Sequence, residues 1–278
     1  MNPIALLMDC NNIACRASFV APHESIENMD FSIMDNMLNS KKRMLTHDGY
    51  DDIRTCYVFD EPSCDYIDFT PHINRRKLIG EYKGTRPSCT DDKAVYERDC
   101  WIQGWMQQLF SQHENVVSYP GAEADDYLAY IAQSISEDGI NSISTCIWSA
   151  DKDLLQCVDD ERRIMAIRSH RGEKKETIFH EAEVLSEKHV PARKIRMQLA
   201  LQGDVADNYK GIRGYGGKKG LGIINKSDNI ESLLQLFPDD HDQIMRNWNL
   251  AGVGAEYLDD NAINRAKESV AIITGPEF

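Results

Sequence analysis

No apolar stretch in these 278 residues approaches the roughly 20 needed for a helix to cross a bilayer. The opening, Met1-Asn-Pro-Ile-Ala-Leu-Leu-Met-Asp9, has no basic region and meets an acid too soon for a secretion signal. A membrane partner is therefore not expected, and the run reads as a first strand. The eight cysteines contain no Cys-x-x-Cys pair and several fall inside apolar runs. That argues against a zinc site or a disulfide scaffold and for reduced, buried thiols in the cytoplasm. A Walker A loop is also missing, since Gly217-Lys218 would need a glycine at Ile212, and Lys219 stands where Ser or Thr is required. There is no low-complexity linker and no internal repeat. Positive charge is in deficit: 31 Lys and Arg against 45 Asp and Glu give −14, at first sight unfavourable for a nucleic-acid partner.

What is present changes that reading. Nine acids fall in five short clusters at or near the ends of apolar runs. Asp9 follows Ile4-Ala-Leu-Leu-Met8, and Asp60 follows Cys56-Tyr-Val-Phe59. Glu123, Asp125 and Asp126 lie in Gly121-Ala-Glu-Ala-Asp-Asp126, Asp151 and Asp153 follow Cys146-Ile-Trp148, and Asp204 and Asp207 lie in Gly203-Asp-Val-Ala-Asp-Asn208. A carboxylate just past a buried strand points off the sheet edge where open α/β sheets place ligands. Converging carboxylates repel one another, and hard divalent cations with oxygen ligands relieve the repulsion. The pattern reads as a two-metal site for phosphoryl chemistry. Each cluster has a plainer explanation alone: acids in a first helical turn complement the dipole, and Asp favours turns.

Strands are expected at Ile4–Asp9, Thr55–Asp60, Asn115–Ser118, Ser142–Trp148 and Ile164–Arg168. Between them, Ile102, Trp105, Met106 and Leu109, then Leu128, Ile131, Ala132 and Ile135, recur at helical spacing. Alternation of this kind implies an α/β fold, a mainly parallel sheet with helices on both faces. Trp101, Trp105 and Met106 read as core packing. Beyond about residue 180 the pattern becomes short helices without convincing strands, one of them starting at Pro191 and running to about Gln202.

The basic residues are concentrated in two islands. Pro71 to Pro87 holds five cations (Arg75, Arg76, Lys77, Lys83, Arg86) against Glu81, and Tyr209 to Lys226 holds five (Lys210, Arg213, Lys218, Lys219, Lys226) and no acid. Solvated faces are the plain reading of such runs; beside an acidic metal site they suggest contacts to a phosphate backbone. Gly203–Gly222 carries seven of the 17 glycines. Closely spaced glycines permit a tight inter-helix turn whose amides, notably near Gly214, Gly216 and Lys218, can hold a phosphate. Lys83 could stabilise charge on a reacting phosphate and Tyr82 could stack on a base.

In order, Asp9-x-x-Asn12 with Arg16, Val58-Phe-Asp60, Tyr82-Lys-x-x-Arg86, Glu123-Ala-Asp-Asp126, Ser149-x-Asp-x-Asp153 and Gly203-Asp-x-x-Asp-Asn208 leading to Lys218 resemble the 5′-nuclease superfamily. The chain looks like its bacteriophage-type 5′→3′ exonuclease/flap endonuclease branch. The resemblance implies a PIN-like α/β nuclease domain over residues 1–180 with a helical arch at about 81–105. A helical subdomain would follow over 181–278, with a helix–three-turn–helix element at about 191–226. It implies that Asp9, Asp60, Glu123, Asp125 and Asp126 hold one Mg²⁺ and that Asp151, Asp153, Asp204 and Asp207 hold a second, with Mn²⁺ able to substitute. It places Lys83 and Arg86 at the reacting phosphate, Tyr82, Arg75, Arg76, Lys210, Arg213, Gly214, Gly216, Lys218 and Lys219 on DNA, and K⁺ on carbonyls around Gly211–Gly216. Cys10, Ala206 and Lys210 depart from the family's frequent glycine, serine and proline without removing a ligand.

The function so implied is a monomeric, metal-dependent 5′ nuclease of a bacterial or phage-infected cell. It would cut DNA with 5′ flaps or free 5′ ends and remove RNA at primer junctions, with a polymerase or single-stranded-DNA-binding protein as further partners. Two alternatives stand beside it: a structure-specific DNA-binding protein that does not cleave, and a PIN-type ribonuclease, which would not need the glycine-rich hairpin.

Overall fold

The computed structural model describes residues 2–19, 30–60, 73–80, 82–83, 93–113, 115–137, 143–169 and 175–275. The strand β1 (Pro3–Asp9) is buried along its whole length, as expected of a central strand covered on both faces. It pairs in parallel with β2 (Asp52–Val58) and, on its other side, with β4 (Ser144–Trp148). With β3 (Val116–Val117), β5 (Ile164–Ser169) and β6 (Glu176–Phe179) the sheet runs β3-β2-β1-β4-β5-β6. Only β6 is antiparallel; it is a strand that the sequence reading missed.

Register positions the site. Asp9 lies opposite Val58, and Met8 opposite Trp148. Asp60 and the Ser149–Asp153 segment therefore leave the sheet beside Asp9, at the same carboxyl edge.

Helices cover both faces. On one, Ile4, Leu6 and Met8 pack with residues of α1 (Cys10–Ser18), α2 (Ser32–His47) and, beyond the short α3 (Arg75–Leu78), α4 (Lys93–Gln112). Trp101 and Trp105 are buried there, as packing residues should be. On the other face Ala5 and Leu7 meet Leu128, Ile131, Ala132 and Ile135 of α5 (Ala124–Glu137), the stripe expected from the sequence. The expected arch span includes the start of α4; residues 84–92 lie outside the described residues.

A third core gathers the C-terminal helices: α6 (Glu181–Lys188), α7 (Ile195–Gln202), α8 (Gly217–Lys226), α9 (Ile230–Leu236) and α10 (His241–Ala251). The last helix, α11 (Asp260–Thr274), returns to the sheet and packs against α5. Two expectations are corrected here. Pro191 does not begin the helix, because a 3₁₀ turn at Ala192–Lys194 intervenes before α7. The region also contains strands, a two-residue hairpin of β7 (Gly203–Asp204) and β8 (Tyr209–Lys210); elements so short carry no readable period. Among the described residues no helix is long and apolar enough to cross a membrane.

Candidate functional site

Asp9 closes β1 and caps α1, accepting from Asn12 N at 3.1 Å and from Ser149 Oγ at 2.6 Å. Asn11, the second residue of the same helix, pairs with the backbone of Asp60, accepting from its N–H at 3.0 Å. Asp60 Oδ1 in turn accepts from Ala124 N at 2.6 Å, which binds it to the positive end of α5. Asp151 accepts from Asp153 N at 2.8 Å and its own N–H donates to Ser149 Oγ at 3.0 Å. These bonds orient Asp9, Asp60 and Asp151, which with Asp125 line one cavity of about 390 Å³, also lined by Asn11, Asn12, Lys83, Arg98 and Asp99.

A second acidic group adjoins the first. Asp204 accepts from Lys152 Nζ at 2.6 Å and from Ala206 N at 2.8 Å. Asp207 accepts from Tyr82 OH at 3.3 Å, and its carbonyl accepts from Lys83 N at 3.4 Å. Asp153 feels both groups. Burial first, then the charges of Asp151, Asp204 and Asp207, push its carboxyl up from 3.8 to about 7. Asp9 rises to about 7 through burial and the neighbouring Asp60, against the Ser149 and Asn12 hydrogen bonds. Asp125 is raised by burial, then by Asp151 and Asp9.

Two cations reach this field. Lys83 sits at φ 55, in the left-handed region that a lysine rarely adopts, and donates to Glu123 Oε2 at 2.7 Å. Lys152, between two of the acids, holds Asp204. Arg98 of α4 also lines the cavity; it lies outside the apolar stripe and the acidic motifs, so no sequence signal singled it out. Ser149 and Asn11 were missed too, although a polar residue next to a strand-end acid is a usable signal for a side chain that orients it.

Three sequence expectations are corrected. Asp126 does not face the cavity: both its oxygens accept from Arg75 at 2.8 Å, and Gly254 N donates to it at 3.2 Å. Arg75 is consequently no DNA-facing residue, being 8% exposed, stacked 3.8 Å from the Tyr257 ring and bonded to Gly252 O. Tyr82 is buried in the third core, not available to stack on a base. Arg86 lies outside the described residues.

The glycine-rich segment is a packed crossing. Gly203 has φ 75, and a Cβ there would meet Gly211 N at 2.2 Å; a Cβ on Gly211 would meet the Gln202 carbonyl carbon at 2.1 Å. The hairpin thus presses on the end of α7 and delivers the chain through Gly214 and Gly216 to the start of α8. Lys210, Arg213, Lys218 and Lys219 are exposed along it, with Lys219 Nζ 4.0 Å from the Tyr215 ring centre. Arg76 is exposed on α3. Of the carbonyls considered for a monovalent cation, Gly211 O and Ile212 O accept hydrogen bonds from Gln243 and Tyr215.

The donors suit a hard divalent ion in kind, since all are carboxylate oxygens. Asp153 Oδ1 is buried without a hydrogen-bond partner, an atom that such an ion would satisfy. Among the described residues no three ligating side chains are already drawn around one point.

The family model of the 5′-3′ exonuclease N-terminal, resolvase-like domain matches residues 4–189. The chain belongs to the 5′-3′ exonuclease family. It is 32% identical over 178 residues to the 5′-3′ exonuclease of Aquifex aeolicus (strain VF5), covering 64% of this chain and 54% of that protein. It is 27% identical over 232 residues to DNA polymerase I of Mycobacterium bovis, covering 84% of this chain and 24% of that one. The chain thus spans about half the length of the exonuclease and about a quarter of the polymerase. The T5 D15 protein co-crystallised with metal ions superimposes with a TM-score of 0.73, covering 98% of this chain and 99% of that one. T5 5′-exonuclease with divalent zinc bound gives 0.71. At 15% identity these structures speak for the fold of this family member alone.

Proposed function

We propose that this exonuclease-family chain is a divalent-metal-dependent, structure-specific 5′ nuclease, hydrolysing DNA phosphodiesters at free 5′ ends and flap junctions and removing RNA primers during replication. The observation that carries the reading is the meeting of Asp9, Asp60, Asp125 and Asp151 in one cavity, with Asp153, Asp204 and Asp207 beside it. Asp9, Asp60, Asp125 and Glu123 would hold one Mg²⁺, or Mn²⁺ in its place; Asp151, Asp153, Asp204 and Asp207 would hold the second. When bound, such ions activate water and offset charge on the attacked and leaving oxygens.

The rest falls to the chain. Lys83, at the junction of the two acid groups, offers its ammonium to the non-bridging oxygens of the phosphate, and Arg98 adds positive charge from the opposite helix. Arg86 is assigned the same role from its motif. Residues 181–278 form the duplex-gripping part, through Lys210, Arg213, Lys218, Lys219 and the amides near Gly214 and Gly216. K⁺ would bridge carbonyls of this segment to the DNA. Backbone contacts of this kind position a duplex without reading its sequence, so the substrate is selected by shape, and one copy of the chain suffices.

A flap DNA labelled at its 5′ end, incubated with Mg²⁺ or EDTA, tests the proposal. Mg²⁺-dependent release of the flap is the expected result. Binding without cleavage would make the chain a structure-specific binder, and preference for single-stranded RNA would make it a PIN-type ribonuclease.

A further inference from the structure

A second cavity, of about 590 Å³, opens behind the acidic one and is lined by Arg16, Lys152, Arg168, Ser169, Glu187 and Lys188. Four cations face one carboxylate. Two of the four are engaged elsewhere: Arg16 donates to Glu176 at 2.7 Å and Lys152 to Asp204 at 2.6 Å. The other two, Arg168 and Lys188, share Glu187 at 3.6 and 3.9 Å, beyond good hydrogen-bond length.

Arg168 is the informative residue. It rises from β5 and is only 9% exposed, with its guanidinium over the Phe179 ring. Its Nε and Nη1 are shut off from solvent and have no hydrogen-bond partner. Glu187 offsets the charge of Nη1 from 3.6 Å but is too far for a good hydrogen bond, and buried donors left without one are costly and rare in native proteins. Arg168 lines the cavity, and a guanidinium there can offer N–H donors to phosphate oxygens. Lys188 reports the same field: burial and then the Arg168 charge hold its ammonium below the usual lysine range. Since Lys152 sits between Asp151 and Asp153, the two cavities share a wall, and a strand whose phosphodiester lies among the acids would have another phosphate within reach of the basic one.

We propose that Arg168 and Lys188 form a phosphate-binding pocket that holds a backbone or terminal phosphate of the nucleic-acid substrate next to the cleavage site. The proposal rests on the nuclease reading and adds a substrate contact to it.

Equilibrium binding in EDTA, followed by fluorescence anisotropy over a salt series, tests the pocket. The probes are flap DNA carrying a 5′-phosphate, the same DNA with a 5′-hydroxyl, and a version with neutral methylphosphonates at the junction. Lys188→Ala and Arg168→Gln are each expected to weaken binding about tenfold, with a salt slope shallower by about one. A loss confined to the 5′-phosphate probe identifies the terminal phosphate as the ligand. A loss that is equal for both ends and absent on the methylphosphonate DNA identifies an internal one. Lys188→Ala decides the matter if Arg168→Gln does not fold. Wild-type affinity and slope in the variants overturn the pocket while leaving the nuclease reading intact, provided the wild type binds and cuts the flap. Failure of the wild type to bind any of the probes would overturn both.

Discussion

Arg75→Met separates two views of the first basic island. In sequence, Arg75 is one of five cations awaiting DNA. In the structure it is a buried staple: two bonds to Asp126 at 2.8 Å, one to Gly252 O at 2.6 Å, one to Leu250 O at 3.3 Å, and the Tyr257 ring on its flank. Burial favours the neutral form, but the Asp126 carboxylate outweighs it and holds the guanidinium charge above its usual range. Removing it leaves Asp126, 1% exposed, without a counter-ion. Breaking one side of a buried pair costs about 3–5 kcal/mol. With an unfolding entropy of roughly 0.6 kcal/mol/K for a chain of this size, the melting temperature should fall by about 5–9 °C. Arg75→Met combined with Asp126→Leu should recover most of that loss, because two well-packed apolar groups can replace an ion pair at little cost. Differential scanning fluorimetry reads the melting shift, and flap cleavage by the double variant should persist. A wild-type melting temperature for Arg75→Met together with a shallower salt dependence of DNA binding would refute the staple. Loss of cleavage in a stable double variant would return Asp126 to the metal set.

Three more predictions bear on the site. Asp153→Asn and Asp204→Asn should each abolish flap cleavage and leave duplex affinity unchanged, read by gel and anisotropy on one preparation; normal turnover in either removes that residue from the ligands. Lys218→Ala with Lys219→Ala should weaken duplex binding and flatten its salt slope by up to about two, near one per lost phosphate contact; an unaltered slope excludes them from the interface. Asp9 and Asp153, both raised from 3.8 to about 7, contribute stability that is complete below pH 3.8 and is lost as pH rises through about 7. Metal-free protein should therefore melt lower at pH 8 than at pH 6, and Mn²⁺ should restore more at pH 8, where fewer protons compete; calorimetry showing an equal Mn²⁺ effect at both pH values would contradict the coupling.

The acids were legible because a parallel sheet converts sequence pattern into position. Once Ile4–Met8, Cys56–Phe59 and Cys146–Trp148 are strands, the residues after them must leave one edge together, and they do. Asp126 was not legible by that rule. It follows Asp125 on a helix, and successive residues there point in different directions, so Asp125 enters the cavity while Asp126 turns to Arg75. Arg75 and Arg76 split the same way, one buried and one exposed. The glycine-rich segment announced a tight turn, yet Gly203 and Gly211 serve close backbone contact across a hairpin of two-residue strands that no period could reveal. Arg168 had no sequence signal at all, because its interest lies in donors left without hydrogen bonds by the packing around it.

The structure also explains how so many carboxylates share one edge of a folded chain. Three lie against cations of the chain itself: Asp126 on Arg75, Glu123 on Lys83 and Asp204 on Lys152. Asp60 is tied to the amide end of a helix, and Asp9 to a hydroxyl and an amide. Asp9 (despite those bonds), Asp125 and Asp153 are all raised by burial and by the other acids, so in the metal-free chain protons carry part of the neutralisation. Lys83 and Lys152 differ from Arg75 in being partly exposed, with side chains 21% and 41% accessible. A partly accessible ammonium can exchange a carboxylate for a phosphate, whereas a guanidinium locked by four close acceptors cannot. The division of labour follows from burial: Arg75 holds the scaffold together, and the two lysines offset Glu123 and Asp204 while staying partly accessible.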